Sequence, residues 1–274
     1  ARIFRNMHRH LNMPTWLGVP IVSSLALLLA VSLGTSFVVY KKWWRGFLKP
    51  IRLRGARTAW GDFHRLAGVW SLWFVLLMIL TGLWYLAEST VAQAPPHPRL
   101  EVPAVELSNM DIAAQLGPSL AAAQATNPEL DIKRIAFPGE ESGAFQFQGQ
   151  HEAILVRDRS NAVWTSAATG EALLVADGRD LNVHQRISEM ADPLHFGTFG
   201  GYWTKIPWFL FGALLSALSI SGAALYSLRL FKAERRPAPT GGAAARAWRG
   251  MGHWRWPALG LVLVGFALLP SLFA

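Results

Sequence analysis

Four stretches of the chain run without an internal charge for the length that a bilayer requires. They fall at residues 16–40, 66–87, 206–228 and 254–273, and only the last touches a charge, Arg255 at its edge. About 20 apolar residues cross a hydrocarbon core, so the pattern predicts four transmembrane helices. Pro14 stands at the mouth of the first, where a missing N–H costs little. Asp62, in GDFHRLAGVW, is the expected N-cap of the second. Between the second and third runs the pattern changes. LSNMDIAAQLGPSLAAAQA predicts a helix capped by Ser108 or Asn109, with Asp111 in its first turn. Short alternating runs at 132–138, 143–150, 153–159 and 162–178 predict strands joined by Gly, Asp and Asn turns. DLNVHQRISEM predicts a helix returning to the membrane, punctuated by GRDL and ADP. APPHP, at 94–98, predicts a stiff, extended exit linker in which His97 is solvated. The expected architecture is a membrane α-helical bundle carrying a small α/β domain. Residues 1–88 hold the first two spans, 89–204 the α/β domain, and 205–274 the last two spans.

Charge sets the expected orientation. The loop 41–65 holds eight Lys/Arg and one acid, and 229–255 holds seven and one, whereas 89–204 holds 14 Asp/Glu and seven Lys/Arg. Short basic loops stay in the cytoplasm, which places the α/β domain outside. The net charge of +9 is then a topology signal; anionic lipid headgroups account for it without a nucleic-acid partner. With both basic loops inside, the N-terminus is outside. ARIFRNMHRH is basic and is no signal peptide, so a further upstream segment is expected before residue 1.

The chain has no cysteine. That excludes disulfides, thiolate iron–sulfur ligation and covalent C-x-x-C-H haem attachment, and it suits a bacterial inner membrane. It has no G-x-G-x-x-G, no P-loop and no Ser/His/Asp arrangement, and no cytoplasmic segment large enough for a flavin or nicotinamide domain.

The histidines are the informative feature. His8 and His10 precede the first apolar run, and His64 stands two residues before the second. His195 stands eleven before the third, and His253 one before the fourth. By the charge map His8, His10 and His195 lie at the outer face, His64 and His253 at the inner face. Imidazoles from four helices at two depths match what two bis-histidine haems need; interfacial histidines with no cofactor are the alternative. Zinc would want its ligands clustered at one point, and no H-x-x-x-H pair occurs. Small residues follow at helical spacing, Gly68 after His64 and Gly197 and Gly200 after His195, leaving room for a planar ligand or a neighbouring helix. His151 and His184, in the outer domain, could approach a ligand. Trp43, Trp44, Trp60, Trp203, Trp208, Trp254 and Trp256 predict an interfacial belt; Trp70, Trp73 and Trp84 could pack beside a porphyrin or in the core.

Three segments carry a resemblance. MHRHLNMPTWLG resembles an LH-x-x-L element, GDFHRLAGVW a DLHR-x-x-G-x-W element, and PLHFGTFGGYWTKIPWFLFGALLSALSISGAAL a PLH-x-G-x-x-G…SG helix of the PepSY-associated transmembrane family. The outer domain, ending in AVWTSAATGEAL, is similar to a PepSY-type α/β unit. Among such proteins the chain most resembles bacterial inner-membrane ferric-siderophore reductases. The resemblance implies two b-type haems with His8, His64 and His195 as axial ligands. An N-terminal helix bearing an HRW-x-G-L histidine is absent here, and GHWRWPALGL makes His253 the best candidate for the fourth ligand. His10 or His184 could replace an assigned ligand.

Two functions follow as expectations. In one, the protein is a di-haem conduit passing electrons from a cytoplasmic or quinol donor to a ferric siderophore outside. No general acid or nucleophile is needed for that, and none is visible. In the other, it is a non-enzymatic membrane anchor whose outer domain senses or binds a partner.

Overall fold

The computed structural model describes residues 2–97, 100, 102–103, 108–139, 142–233 and 243–267. By internal contacts the chain divides into two units, residues 1–92 with 205–274, and residues 93–204. In chain order the first unit holds helices α1 (Arg2–His10), α2 (Thr15–Val39), α3 (Ala56–Trp70) and α4 (Leu72–Thr90). The second holds α5 (Asn109–Thr126), strands β1 (Asp131–Ala136), β2 (Ala144–Gln150), β3 (Asn161–Ser166) and β4 (Ala172–Ala176), and α6 (Val183–Phe196). Then come α7 (Gly201–Ala233), α8 (Ala243–Gly250) and α9 (Arg255–Ala267).

Among the described residues, three helices are long and apolar enough to cross a membrane: Thr15–Val39, Leu72–Thr90 and Gly201–Arg229. The second differs from the run at 66–87. Ser71, at φ −89° and ψ 1°, separates α3 from α4, so residues 66–70 belong to a helix that also carries Arg57, Asp62 and Arg65. Of the fourth expected span, α9 covers Arg255–Ala267, and residues 268–273 lie outside the described residues.

Inside the apolar helices, hydroxyl groups return their hydrogens to the backbone of the preceding turn. Ser24 donates to the Ile21 carbonyl at 2.7 Å, Thr35 to Val31 at 2.9 Å and Thr81 to Leu77 at 2.8 Å. This is the local solution where no water is available. α2 and α4 pack through small residues: a Cβ built on Gly82 would lie only 2.8 Å from the Ala26 Cβ. Close approach of this kind is what holds helices together in lipid.

The second unit is a four-stranded antiparallel meander, β1-β2-β3-β4, with α5 against one face. Phe147 stands opposite Val163 and Phe145 opposite Thr165 in the β2–β3 register. Phe145, Phe147 and Val163 are buried with Ala123, Leu130 and Ala167, and Ile112, Leu116 and Leu120 of α5 close the cluster. Residues of the opposite parity, Ala144, Ala162 and Trp164, form a smaller cluster with Leu100, Val102 and Leu174 on the other face. Ser108 caps α5 in a reciprocal box with Asp111. The run 162–178 is two strands turning at Gly170, φ +77°. The run 153–159 is not a strand: Leu155 takes φ +57° and Asp158–Ser160 is a 3-10 turn. Its apolar residues Ala153 and Val156 are buried, which produced the strand-like pattern, while its arginines serve another purpose.

That purpose is Glu189, on α6, whose side chain is 0% exposed. Arg157 donates to it from Nε at 2.8 Å and Nη2 at 2.7 Å. Arg159 donates from Nη2 at 2.8 Å. His97 Nε2 lies 2.8 Å from the same carboxylate and must be the donor, because a carboxylate only accepts. His97 is therefore not a solvated linker residue. Gln185 donates to the Pro96 carbonyl at 3.1 Å, so the Pro-rich segment is fastened to α6. α6 itself starts at a capping box between Asn182 and Gln185 and runs through Ala191, Asp192 and Pro193 to Phe196, past the expected stop at ADP.

Two predictions follow from these contacts. Gly82→Val overpacks the α2–α4 contact and is expected to cost about 1–3 kcal/mol, read as a lower thermal midpoint in detergent. Ala26→Gly in the same chain should recover part of it; no recovery would mean that the two positions do not meet. For Glu189, burial alone would raise the carboxyl, but the hydrogen bonds and charge of Arg157, then of Arg159, outweigh it and lower its pKa from 4.5 to about 2. The folded value lies below the unfolded one. The stabilisation is therefore full above pH 4.5, and it fades as pH falls towards 2. Glu189→Gln should lower the unfolding midpoint of the second unit at pH 7 by a cost of about 3 kcal/mol. It should also flatten the acid dependence between pH 4.5 and 2. An unchanged acid limb would assign the acid sensitivity to other groups.

Candidate metal-ligand site

α3 and α7 meet along a seam of small residues. A methyl carbon placed on Gly61 would lie 4.0 Å from Leu225 Cδ2, and one on Gly68 would lie 3.7 Å from Leu218 Cδ2. Between these points the His64 Nδ1 lies 2.8 Å from Ser221 Oγ. Positions 61, 64 and 68 share one helical face, as do 218, 221, 222 and 225. Numbers rise along α3 as they fall along α7, so the helices are antiparallel at the seam. Gly222 adds clearance: a Cβ there would lie 3.4 Å from His64 Cε1. The room beside Gly68 is filled by a neighbouring helix.

Ser221 is fully buried, and its hydroxyl donates to the Leu218 carbonyl at 3.0 Å. A hydroxyl has one hydrogen, so keeping the Leu218 bond requires the tautomer in which the Ser221 oxygen accepts from His64 Nδ1–H. Nε2 then keeps its lone pair, the state that a histidine needs to bind a metal. By this test His64 fits an axial haem ligand.

Asp62, two residues before His64, is buried and is not a cap; α3 begins at Ala56, after Gly55. Its carboxylate accepts from the Arg52 backbone N–H at 2.9 Å, from Arg52 Nε at 2.9 Å and from Arg65 Nη1 at 3.1 Å. The Arg52 side-chain bond, then its backbone bond, pull the Asp62 carboxyl from 3.8 down to about 2. Arg65 also donates to the Lys49 carbonyl at 2.8 Å. The basic loop is thus tied to α3 on both sides of His64.

The other expected ligands are placed as follows. Gly250, at the end of α8, abuts α7: a Cβ there would lie 2.6 Å from the Ala223 carbonyl and 2.8 Å from Ser227 Cβ. His253 follows in the short turn Gly252–Trp254 and is exposed, so its segment docks on the part of α7 next to Ser221. His8 stands exposed in the last turn of α1. His10 is 8% exposed, and its Nδ1 donates to the Met13 carbonyl at 2.7 Å. The turn after it holds Leu11 and Asn12 at φ +55° and +57°, a costly conformation for two successive non-glycine residues.

His195 is in the last turn of α6, half-buried, with its ring edge-on to Phe196 at 5.1 Å between centroids. Gly197 caps α6 at φ +63°, and Gly201 takes φ +57°. Thr204 Oγ1 donates to the Gly197 carbonyl at 2.6 Å and accepts from the Gly200 N–H at 3.0 Å. The glycines after His195 thus build a tight turn into α7. His184 lies in the first turn of α6. His151, 10% exposed in its side chain, is 3.9 Å from the Glu129 carboxylate. With Glu152 these are the one group of three metal-ligand side chains among the described residues, and Glu152 is already paired with Arg179.

Of the tryptophans, Trp44, Trp203, Trp254 and Trp256 are exposed, as an interfacial belt requires. Trp73 packs edge-on against Trp208 at 5.5 Å and Phe211 at 4.7 Å, joining α4 to α7.

Sequence reasoning missed Ser221, Arg157, Arg159 and Glu189. The SG pair at 221–222 was visible as a motif, but nothing local joins it to a histidine 157 positions away.

No curated protein matches the chain. The family model described as PepSY-associated TM region matches residues 1–229, from α1 through the apolar length of α7, and takes in His8, His64 and His195. With the match covering most of its length, the chain belongs to this family of membrane proteins.

Proposed function

We propose that this membrane protein binds two b-type haems and reduces ferric siderophores at the outer face of a bacterial inner membrane. The observation that carries the reading is His64: an imidazole on α3 whose Nδ1 lies 2.8 Å from the buried Ser221 hydroxyl of α7, a contact that favours the tautomer with Nε2 left to donate. His64 and His253 would hold the inner group, and His8 and His195 the outer one. When bound, haem supplies one-electron exchange at a potential set by its axial ligands. At His64 the chain's own residues orient the ring, and the buried Ser221 hydroxyl meets it out of reach of water. The basic loops at 41–65 and 229–255 place His64 and His253 inside, next to a cytoplasmic or quinol donor. The acidic 89–204 domain stands outside, where a ferric chelate is met; that substrate is too large and polar to enter lipid. Ferrous iron is held far less tightly by hard oxygen chelators, so reduction releases the metal.

Two measurements test this. His64→Ala and His195→Ala should each keep part of the haem and lose different spectral components; loss of the same component would contradict the two-level placement. Protein in sealed liposomes with reductant trapped inside should reduce an external ferric hydroxamate chelate. His195→Ala should abolish that reaction while the remaining haem stays reducible. Haem-loaded wild-type vesicles that reduce no external chelate would contradict the conduit and leave the anchor or sensor in its place.

A further inference from the structure

The His64 ring has two nitrogens and one exchangeable proton when neutral. Which nitrogen carries it decides whether the ring can ligate through Nε2. In an aqueous setting both tautomers are populated, because water satisfies either nitrogen. Here Nδ1 meets Ser221 Oγ at 2.8 Å, and Ser221 is fully buried, so water does not compete for that hydroxyl. Ser221 Oγ–H reaches the Leu218 carbonyl at 3.0 Å. A carbonyl can only accept, so the three groups form a directed chain, Nδ1–H to Oγ, Oγ–H to O=C. The reverse tautomer would turn the Ser221 hydrogen to Nδ1, give up the Leu218 bond, and put the proton on Nε2. Leu218 beside Gly68 and Leu225 beside Gly61 pack on either side of the ring, and Gly222 leaves it room, which keeps the imidazole in register with the hydroxyl.

We propose that Ser221 is a positioning residue for His64: its hydroxyl locks the proton on Nδ1 and sets how strongly Nε2 donates. The inference rests on the haem reading above and goes beyond it in naming the group that tunes one of the two sites. A hydrogen bond from Nδ1–H makes the opposite nitrogen a better donor, and a better donor favours the oxidised metal. A neutral hydroxyl, itself polarised by the Leu218 carbonyl, does this less than a carboxylate would.

The test is redox titration of purified holoprotein with optical and EPR detection, comparing wild type, Ser221→Ala, Ser221→Thr and His64→Ala. His64→Ala identifies which spectral component belongs to that ligand. Ser221→Ala should keep both haems, move that component alone to a more positive midpoint, and broaden its EPR signal as the ring loses its orientation. Ser221→Thr keeps the hydroxyl and should restore both features. Full haem content in Ser221→Ala with unchanged midpoint and EPR signal would overturn the role of Ser221 and leave the haem reading standing. A wild-type protein that is colourless after purification with haem supplied would overturn the haem reading, and this inference with it.

Discussion

An imidazole half-buried against an apolar helix must settle where its proton goes, and at a fully buried hydroxyl water does not settle it. At His64 the answer lies on the facing helix. Ser221 Oγ meets the ring at Nδ1 and reaches the Leu218 carbonyl, so the tautomer that keeps both bonds leaves Nε2 with its lone pair. The rest of the membrane unit follows from that requirement. Around that 2.8 Å contact the helices meet through side chains, Leu225 at Gly61, Leu218 at Gly68 and the His64 ring at Gly222. The Asp62–Arg52–Arg65 cluster fixes the entry of α3, and Gly250 docks the His253 segment one turn further along α7. An unpaired polar group in hydrocarbon is costly. A histidine kept there with its proton assigned is better explained by a ligand than by lipid contact.

A second charge cluster does comparable work in the unit of residues 93–204. Glu189 is fully buried, and Arg157 and Arg159 from the loop after β2 and His97 from the Pro-rich segment converge on it. Buried carboxylates survive only with such compensation. The effect is to fasten α6, whose last turn carries His195, to the loop after β2 and to the Pro-rich segment. Both candidate ligand helices, α3 and α6, thus have a paired carboxylate within two turns of the histidine, and in each the carboxyl is driven down to about 2.

What could be read in the sequence was what repeats locally. Apolar runs gave three membrane-length helices, and the Ser108–Asp111 box gave the start of α5. The spacing of Gly68 from His64 showed that something comes close to α3. What came close was α7, and the residue that matters there is 157 positions away. Long-range pairing leaves no local signature, which is why Ser221 and the arginines on Glu189 were not visible. Asp62 was misplaced for the same reason: as a helix start it is a plausible cap, but its partner Arg52 lies in the preceding loop. Ser71 broke a run that hydropathy alone reads as continuous, and Pro193 failed to break a helix because Gly197 supplies the left-handed stop further on.

The account stands on histidines that carry metal. Pyridine haemochrome analysis of the purified protein measures it most directly. The account predicts about two b-type haems per chain, with low-spin, six-coordinate spectra as bis-histidine ligation requires. A folded protein that binds no haem when haem is supplied, or that shows a single haem unaffected by His64→Ala, would contradict it.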